Sequence, residues 1–502
     1  MKKQVLNPYL PLDTYIPDGE PHVFDNRLYL YGSHDREGGD AFCLLDYEVW
    51  SAPVDDLSDW RCEGISYRAD QDPMYGKPNR QMYAPDVARG SDGRYYLYYA
   101  MAGTTFTSPI HVAVSDSPAG PFDYYGEVHH ADGTPYQRHV TFDPGVLNDQ
   151  GSIYLYYGWA LGVSEGKLQG MAALMGGMHS LAFQEKMIQV QEMLFGKSRE
   201  EIEHEKDGLM GANVVRLASD MLTVVSEPKR IVPGQFDASG TEFEGHAFFE
   251  ASSIRKIRNH YYFIYSSQKS HELCYAVSNF PDRDFHYGGV LISNGDIGYH
   301  GRKEEDRLAL TGNNHGSIVC VNGQWYVFYH RQTHKTSFSR QGCAEKIQIK
   351  EDGSIAQVEM TSCGLNDGPL QTEGTYSAVI ACNLTNGHMP HMDVKPFQDP
   401  IPHVTNEGEE RFLTEIMDHT SMVYKYFIFS GECDLEVRIR GNAEGILHVY
   451  IGNEEAARMV ITSCKEWSKV SAHIRAEGIQ VLTFRYEGTG MLEIRDFSFL
   501  HV

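Results

Sequence analysis

The chain has 502 residues, of which 12% are aromatic, and a formal net charge of −25. A chain of this length exceeds what one hydrophobic core supports, so at least two domains are expected. The negative charge argues against nucleic acid as a partner, because phosphate binding needs a basic surface. The sequence contains no apolar run of the roughly 18 residues that a membrane span needs, so no membrane partner is expected.

The cysteines and the first residues of the chain predict a cytoplasmic protein. The nine cysteines are scattered and form no CxxC pair, which is typical of thiols in a reducing compartment. Residues 1–8 contain two lysines, but no apolar segment follows them, so they lack the pattern of a secretory signal.

Five aromatic strands recur along the first two thirds of the chain, each after a tight turn. They contain Tyr29, Tyr96, Tyr154, Tyr262 and Tyr326, which are 67, 58, 108 and 64 residues apart. A period near 60 residues, with about four strands per unit, is typical of a β-propeller. The predicted fold class is therefore all-β, with a five-bladed propeller in residues 1–360.

The long third interval indicates an insertion in the third blade. Residues 163–210 are rich in Met, Gln, Glu and Lys, and apolar residues recur at helical spacing from Phe183 to Glu203. We predict a helical insertion here. The sequence leaves open whether it is a structural excursion, a lid or a contact in a homo-oligomer.

The pattern changes after Gly353. Residues 361–395 contain the Gly, Asn and Pro residues of a connector, and residues 396–502 contain alternating strands separated by turn signals. The predicted strands are Met422–Phe429, Cys433–Arg440, Ile446–Ile451, Gln480–Tyr486 and Met491–Leu500. This pattern predicts a second domain that is an antiparallel β-sandwich.

A titratable residue lies 10 to 12 positions before each of the five tyrosines. These residues are Asp18, Asp86, Asp143, Glu250 and His315. The innermost strands of a propeller line a central channel, so residues near their starts are expected to converge at its axis. Crowded carboxyl groups cannot all ionise independently, and a protonated acid opposite a carboxylate is what hydrolysis of a glycosidic bond requires.

At these residues the sequence resembles glycoside hydrolase family 43, in order and blade by blade over residues 7–360. The similar segments are Tyr15–Phe24, Tyr83–Asp86, Thr141–Pro144, His246–Glu250, Asn314–Ser317 and Ser339–Cys343. One segment departs from the family pattern, because the usual Glu-Gly-Pro reads Glu250-Ala251-Ser252. The loop behind Glu250 is therefore expected to differ.

The resemblance implies a role for each of these residues. Asp18 would be the general base, Glu250 the general acid, and Asp143 the residue that orients the acid and raises its pKa by charge repulsion. In such inverting enzymes the two working carboxyl groups lie about 6.5–9.5 Å apart. Arg340 would contact sugar hydroxyls, and His315 would pack in the channel or contact a central cation through water.

Four further residues are candidate substrate contacts. Asp86 is assigned either to structural hydrogen bonding or to sugar contact. Tyr83, Trp159 and Phe249 are close enough in sequence to the site segments to stack on a sugar. The chemistry itself is expected to need no cofactor.

The second domain resembles β-jelly-roll carbohydrate-binding modules of the family 6 type, at Val423–Phe427 and Val437–Gly441. Its candidate sugar-stacking residues are Trp467 and Tyr424. A structural or site-completing role is favoured over independent binding of polysaccharide. The acidic residues Glu407, Glu409 and Glu410 are a candidate site for a structural Ca²⁺.

The predicted function is that of an inverting exo-glycosidase that removes terminal pentoses from short oligosaccharides, as an α-L-arabinofuranosidase or a β-xylosidase. Two alternatives stay open. One is a β-galactofuranosidase or exo-galactanase on the same fold, and the other is a non-catalytic sugar-binding propeller. The presence of all three carboxyl groups argues against the latter.

Overall fold

The computed structural model describes residues 3–76, 81–102, 108–162, 165–177, 180–391 and 397–500. It confirms the predicted fold class, because five antiparallel sheets form a propeller that is followed by a larger sheet domain. All nine cysteines are free. Within these ranges no helix is long and apolar enough to cross a membrane.

Each blade is a meander in which the aromatic strand is the second strand. The first three blades contain β1 (Glu20–Phe24), β2 (Arg27–Tyr31), β3 (Tyr47–Pro53) and β4 (Arg61–Tyr67); β5 (Gln81–Arg89), β6 (Tyr95–Ala102), β7 (Ile110–Ser115) and β8 (Asp123–Glu127); and β9 (Gly145–Asp149), β10 (Ser152–Trp159), β11 (Gly211–Leu217) and β12 (Lys229–Pro233). The last two contain β13 (Phe248–Ile257), β14 (His260–Ser267), β15 (Glu272–Ser278) and β16 (His286–Ser293), then β17 (Ile318–Val321), β18 (Gln324–Gln332) and β19 (Arg340–Ile347).

Local sequence explains why these hairpins form. Asp25 and Asn26 join β1 to β2 with φ values of 46° and 62°, as a two-residue type I′ turn requires. The second strand of each blade is largely buried, and every residue of β6 is buried. Neighbouring blades therefore pack against each other through aromatic side chains, which places the starts of the inner strands around one axis.

The first and fifth blades close the ring without a covalent link. Gly19 forms a parallel bridge with Gly316. The fifth blade has three strands, and the segment before β1 covers its outer edge. The side chain of Asn7 accepts a hydrogen bond from the backbone nitrogen of Ala344 (3.0 Å) and donates to the carbonyl oxygen of the same residue (2.9 Å).

The predicted insertion is helical and lies between β10 and β11. It contains α1 (Glu165–Leu174), α2 (Leu181–Phe195) and α3 (Arg199–His204). The helix expected from Phe183 to Glu203 is therefore two helices. Gly196 ends α2 in a left-handed conformation with a φ of 62°, and Ser198 caps α3. Residues 163, 164, 178 and 179 of the predicted insertion lie outside the described residues.

In the residues that the structure describes, the second domain is a ten-stranded sheet that encloses one apolar core. Its strands are β20 (Leu370–Gln371), β21 (Gly374–Ser377), β22 (Asn383–Thr385), β23 (His403–Glu407), β24 (Glu410–Ile416), β25 (Ser421–Gly441), β26 (Glu444–Ile451), β27 (Glu454–Ile461), β28 (Cys464–Thr489) and β29 (Leu492–Leu500). The first three pair with β25 and β29, so residues 370–385 of the segment predicted as a connector contribute strands to this sheet. The predicted domain start at 396 falls outside the described residues, as do 501 and 502.

Candidate active site

The predicted carboxyl groups of three blades come together at one end of the propeller axis. Asp18 and Asp143 each lie two residues before the inner strand of their blade, and Glu250 lies in β13. Asp18 and Asp143 have φ values of 57° and 43°, a region that side-chain-bearing residues rarely adopt. Such strained backbone is concentrated at functional sites, where the surrounding structure holds it in place.

Asp18 is held by a buried arginine. Nη1 of Arg340 donates to Oδ1 of Asp18 at 2.9 Å, and its Nε and Nη2 donate to the two oxygens of Asp35 at 2.8 and 3.0 Å. His330 lies 3.2 Å from Asp18 Oδ1. Burial alone would raise the pKa of Asp18, but the Arg340 guanidinium, with His330 and His315, holds it well below its ordinary value. Asp18 is therefore a carboxylate across the physiological pH range.

Glu250 has neutral partners instead. Trp159 donates its Nε1–H to Oε2 at 3.2 Å, and Asn313 donates its Nδ2–H to Oε1 at 3.3 Å. Burial raises the pKa of Glu250 to about 7, an effect that the Asn313 hydrogen bond opposes and the charge of Asp18 reinforces. The protonated form of Glu250 is thus well populated at neutral pH.

Asp143 is joined to the backbone behind Glu250. Its Oδ2 accepts a hydrogen bond from the backbone nitrogen of Ala251 at 3.0 Å. Burial raises the pKa of Asp143 well above its ordinary value, and the nearby Glu250 and Asp18 raise it further. Repulsion by Asp143 was the expected cause of the raised pKa of Glu250; burial is the largest cause instead.

His315 lies between two of these carboxyl groups. Its Nδ1 is 3.6 Å from Asp143 Oδ2 and 3.9 Å from Asp18 Oδ1. Burial lowers its pKa to about 4, so the ring is neutral at pH 7. Among the described residues, the sets of three possible ligand atoms lying within 4.8 Å of one another are Glu20, His22, Asp86 and His246, Glu272, Cys274. Neither set includes His315.

Asp86 is occupied by protein groups in the channel. It is fully buried; Oδ1 lies 2.7 Å from Nε2 of His22, and Oδ2 accepts from the backbone nitrogen of Val146 at 2.7 Å. Beside it, Arg255 pairs with Glu20 at 2.7 Å. These bonds join the first four blades, so of the two roles open to Asp86 the structural one fits its surroundings.

The candidate aromatic residues lie around the carboxyl groups. The ring of Trp159 is 5.8 Å from that of Phe249, and Tyr83 packs on Phe142 at 5.2 Å. One aromatic residue was not predicted. The ring of Phe42 lies 4.7 Å from the guanidinium carbon of Arg340.

Asp35, His330 and Asn313 were also missed. His330 and Asn313 had a signal, because His330 follows an aromatic strand run and Asn313 precedes a site segment. Asp35 had none, since its contact with Arg340 depends on the path of a loop.

In the second domain, protein groups contact most of the candidate sugar-binding and Ca²⁺-binding residues. Tyr424 is fully buried and donates its hydroxyl to the carbonyl oxygen of Ala378, so it cannot stack on a sugar. Trp467 is covered by Arg440 at 4.4 Å. In the predicted Ca²⁺ cluster, Glu407 pairs with Arg440 (3.0 Å) and Glu410 with Arg495 (2.6 Å). Two of its three carboxylates are therefore already neutralised.

Comparisons with known proteins identify the family of this chain. The profile of glycosyl hydrolases family 43 matches residues 7–193 and 191–355. A xylosidase/arabinosidase of Thermoclostridium stercorarium is 42% identical over 514 residues, 99% of each chain. One of Bacteroides ovatus is 30% identical over 368 residues, 70% of this chain and 97% of that one. The crystal structure of a GH43_1 enzyme from Xanthomonas citri complexed with xylose has a TM-score of 0.51 and 26% identity, covering 72% of this chain and 95% of that one.

The site combines a carboxylate held by an ion pair with a buried carboxyl group of raised pKa, which are the two groups that hydrolysis of a glycosidic bond uses. The profile match covers more than half of the chain. The chain belongs to glycoside hydrolase family 43 and is an inverting enzyme.

Proposed function

We propose that this protein removes terminal β-xylosyl and α-L-arabinofuranosyl residues from short oligosaccharides, with Asp18 as general base and Glu250 as general acid. One observation carries the assignment of roles. Asp18 is paired with the cation Arg340, whereas Glu250 accepts its hydrogen bonds within the described residues from the neutral donors Trp159 and Asn313. The choice of sugars rests on the two relatives described above.

The contacts suggest how each residue acts. Arg340 keeps Asp18 ionised, so that it can take a proton from water as the water attacks the anomeric carbon. The raised pKa of Glu250 keeps a proton available for the departing oxygen. Asp143 anchors the backbone of Ala251 and so fixes the direction of the preceding Glu250 side chain. Inversion requires that a water molecule fit between Asp18 and Glu250.

A panel of 4-nitrophenyl glycosides tests the substrate. We expect the wild-type protein to hydrolyse the β-D-xylopyranoside and the α-L-arabinofuranoside faster than the Asp18→Ala variant, which serves as the blank. Preference for the β-D-galactofuranoside would favour the alternative function of a β-galactofuranosidase. No hydrolysis of any member above the blank would favour a non-catalytic sugar-binding propeller.

Two further measurements test the mechanism and the exo mode. Proton NMR of the first product from a β-xyloside should show α-xylose; β-xylose as the first product would refute inversion. Xylotriose should lose one xylose at a time from an end. Glu250→Gln should lower kcat on xylobiose by about 10²–10⁴-fold but spare much of the activity on aryl glycosides with good leaving groups. Equal loss on both substrates would contradict its role as the acid.

A further inference from the structure

We propose that the second domain positions the catalytic base, because it anchors the two loops that hold Arg340 against Asp18. This inference rests on the proposed function of Asp18. The first-blade loop is residues 32–46, between β2 and β3, and the fifth-blade loop is residues 333–339, between β18 and β19. Arg411 and Glu415 in β24 are assigned here as positioning residues that act through these loops.

Arg411 anchors the first-blade loop. Its Nε and Nη2 donate to the two carboxylate oxygens of Glu37 at 3.0 and 2.7 Å. The hydroxyl of Tyr15 donates to the same carboxylate at 3.0 Å. The side chains of Arg411 and Glu37 are only 13% and 18% exposed, so this is a two-point, largely buried pair rather than a solvated surface contact.

Glu415 anchors the fifth-blade loop in the same way. Lys335 donates to both of its carboxylate oxygens, at 2.8 and 2.7 Å. The backbone of β23 adds a hydrogen bond, from the nitrogen of Val404 to the carbonyl oxygen of Thr333 at 2.8 Å. The hairpin of β23 and β24 therefore holds the fifth-blade loop by the Lys335–Glu415 ion pair and by a backbone hydrogen bond.

The two anchored loops supply the groups around Arg340. The first-blade loop carries Asp35, which binds the guanidinium and also accepts from the backbone nitrogen of Arg340 at 3.2 Å. The fifth-blade loop leads directly into Arg340, the first residue of β19. The loops are also joined to each other, because Gly38 donates its backbone N–H to Oγ of Ser339 at 2.9 Å.

Aromatic packing follows the same path. Phe42 of the first-blade loop meets Phe338 of the fifth-blade loop edge to face, with ring centroids 4.7 Å apart. The guanidinium of Arg340 lies over Phe42. Displacement of either loop would therefore change the position of the cation that keeps Asp18 ionised. The β24 side chains thus act on the base through Arg340 without touching the substrate.

Arg411→Met tests the inference, because it removes the charge and both hydrogen bonds while keeping a long side chain. The matched control is Arg495→Met, which removes an arginine of the same sheet that pairs with Glu410 and Asp496. We expect kcat/KM on the aryl xyloside to fall about 10-fold in Arg411→Met and to stay unchanged in the control. Arg411→Lys should recover part of the loss, and adding Glu415→Gln to Arg411→Met should deepen it.

The pH profile separates positioning from general stability. A loosened Arg340 lets the pKa of Asp18 rise, so the acid limb of kcat/KM should move to higher pH in Arg411→Met at temperatures well below unfolding. A merely structural residue would lower the melting temperature and leave that limb in place. An Arg411→Met enzyme with the same rate and acid limb as the Arg495→Met enzyme would overturn the inference while the proposed function stands.

Hydrogen exchange tests the anchoring without activity. Amides of residues 32–46 should exchange faster in Arg411→Met than in the wild-type protein or in Arg495→Met. Equal exchange in all three proteins would overturn the inference even if the wild-type protein were active. A wild-type protein inactive on every glycoside of the panel would refute the proposed function, and exchange in residues 32–46 would still show whether Arg411 anchors this loop.

Discussion

The hydrogen bond from Trp159 to Glu250 makes a quantitative prediction. Trp159→Phe removes the Nε1–H donor, 3.2 Å from Oε2, but keeps a ring that can pack against Phe249 and Phe195. A hydrogen bond to a charged group contributes about 1.5–3 kcal/mol, and the length of this one favours the lower value. Because about 1.4 kcal/mol corresponds to one pKa unit, the pKa of Glu250 should rise by about one unit.

The direction in which the pH profile should shift follows from the role of Glu250 as general acid. Glu250 must be protonated to act, so kcat/KM falls as the pH rises through its pKa of about 7. In Trp159→Phe this basic limb should move to about pH 8. The assay is kcat/KM on the aryl xyloside from pH 5 to 9, with Trp325→Phe, in β18, as the control. A basic limb that stays in place or moves to lower pH would refute the assignment of Trp159 as a donor to the acid.

Three other changes have expected outcomes. In Glu250→Gln the fall in rate above pH 7 should disappear on an activated aryl glycoside; a retained limb would assign it to another group. Phe195→Ala removes a ring that is 1% exposed and packs on Trp159, so denaturant unfolding should show a loss of about 3–5 kcal/mol, and a loss below about 1 kcal/mol would contradict this packing. Gly316→Ala would place Cβ 1.9 Å from the carbonyl oxygen of Phe328, so it should not yield folded protein by circular dichroism; a wild-type melting curve would contradict this.

The sequence allowed the propeller and its inner ring of carboxyl groups to be predicted because both depend on a local repeat. Each blade pairs a polar residue in or just before its first strand with an aromatic second strand, and the sequence distance between them is nearly constant. Asp18, Asp143 and Glu250 could therefore be placed at the axis. Asp35 could not, since no periodic signal links it to Arg340, 305 residues away.

The second domain shows where turn signals mislead. The turn residues Ser430-Gly431-Glu432 predict a break between two strands, but β25 runs through them without interruption. The aromatic ring of Tyr424 makes it a candidate for sugar stacking, but its position in the strand does not. The period of two along a strand puts it on the same face as Met422, and both are fully buried. That alternation was present in the sequence and would have predicted a core position.

The way in which the ring closes sets a practical limit on changes to the start of the chain. The side-chain amide of Asn7 hydrogen-bonds to the backbone of Ala344 as a neighbouring strand would. It also donates to the carboxylate of Glu345 at 2.9 Å. Asn7 and these two residues are more than 330 positions apart in the chain. Affinity tags, trimming or circular permutation that disturb this amide would leave the last blade with an open flank. The contact between the first and fifth blades would then open at β19, at a distance from the catalytic pocket.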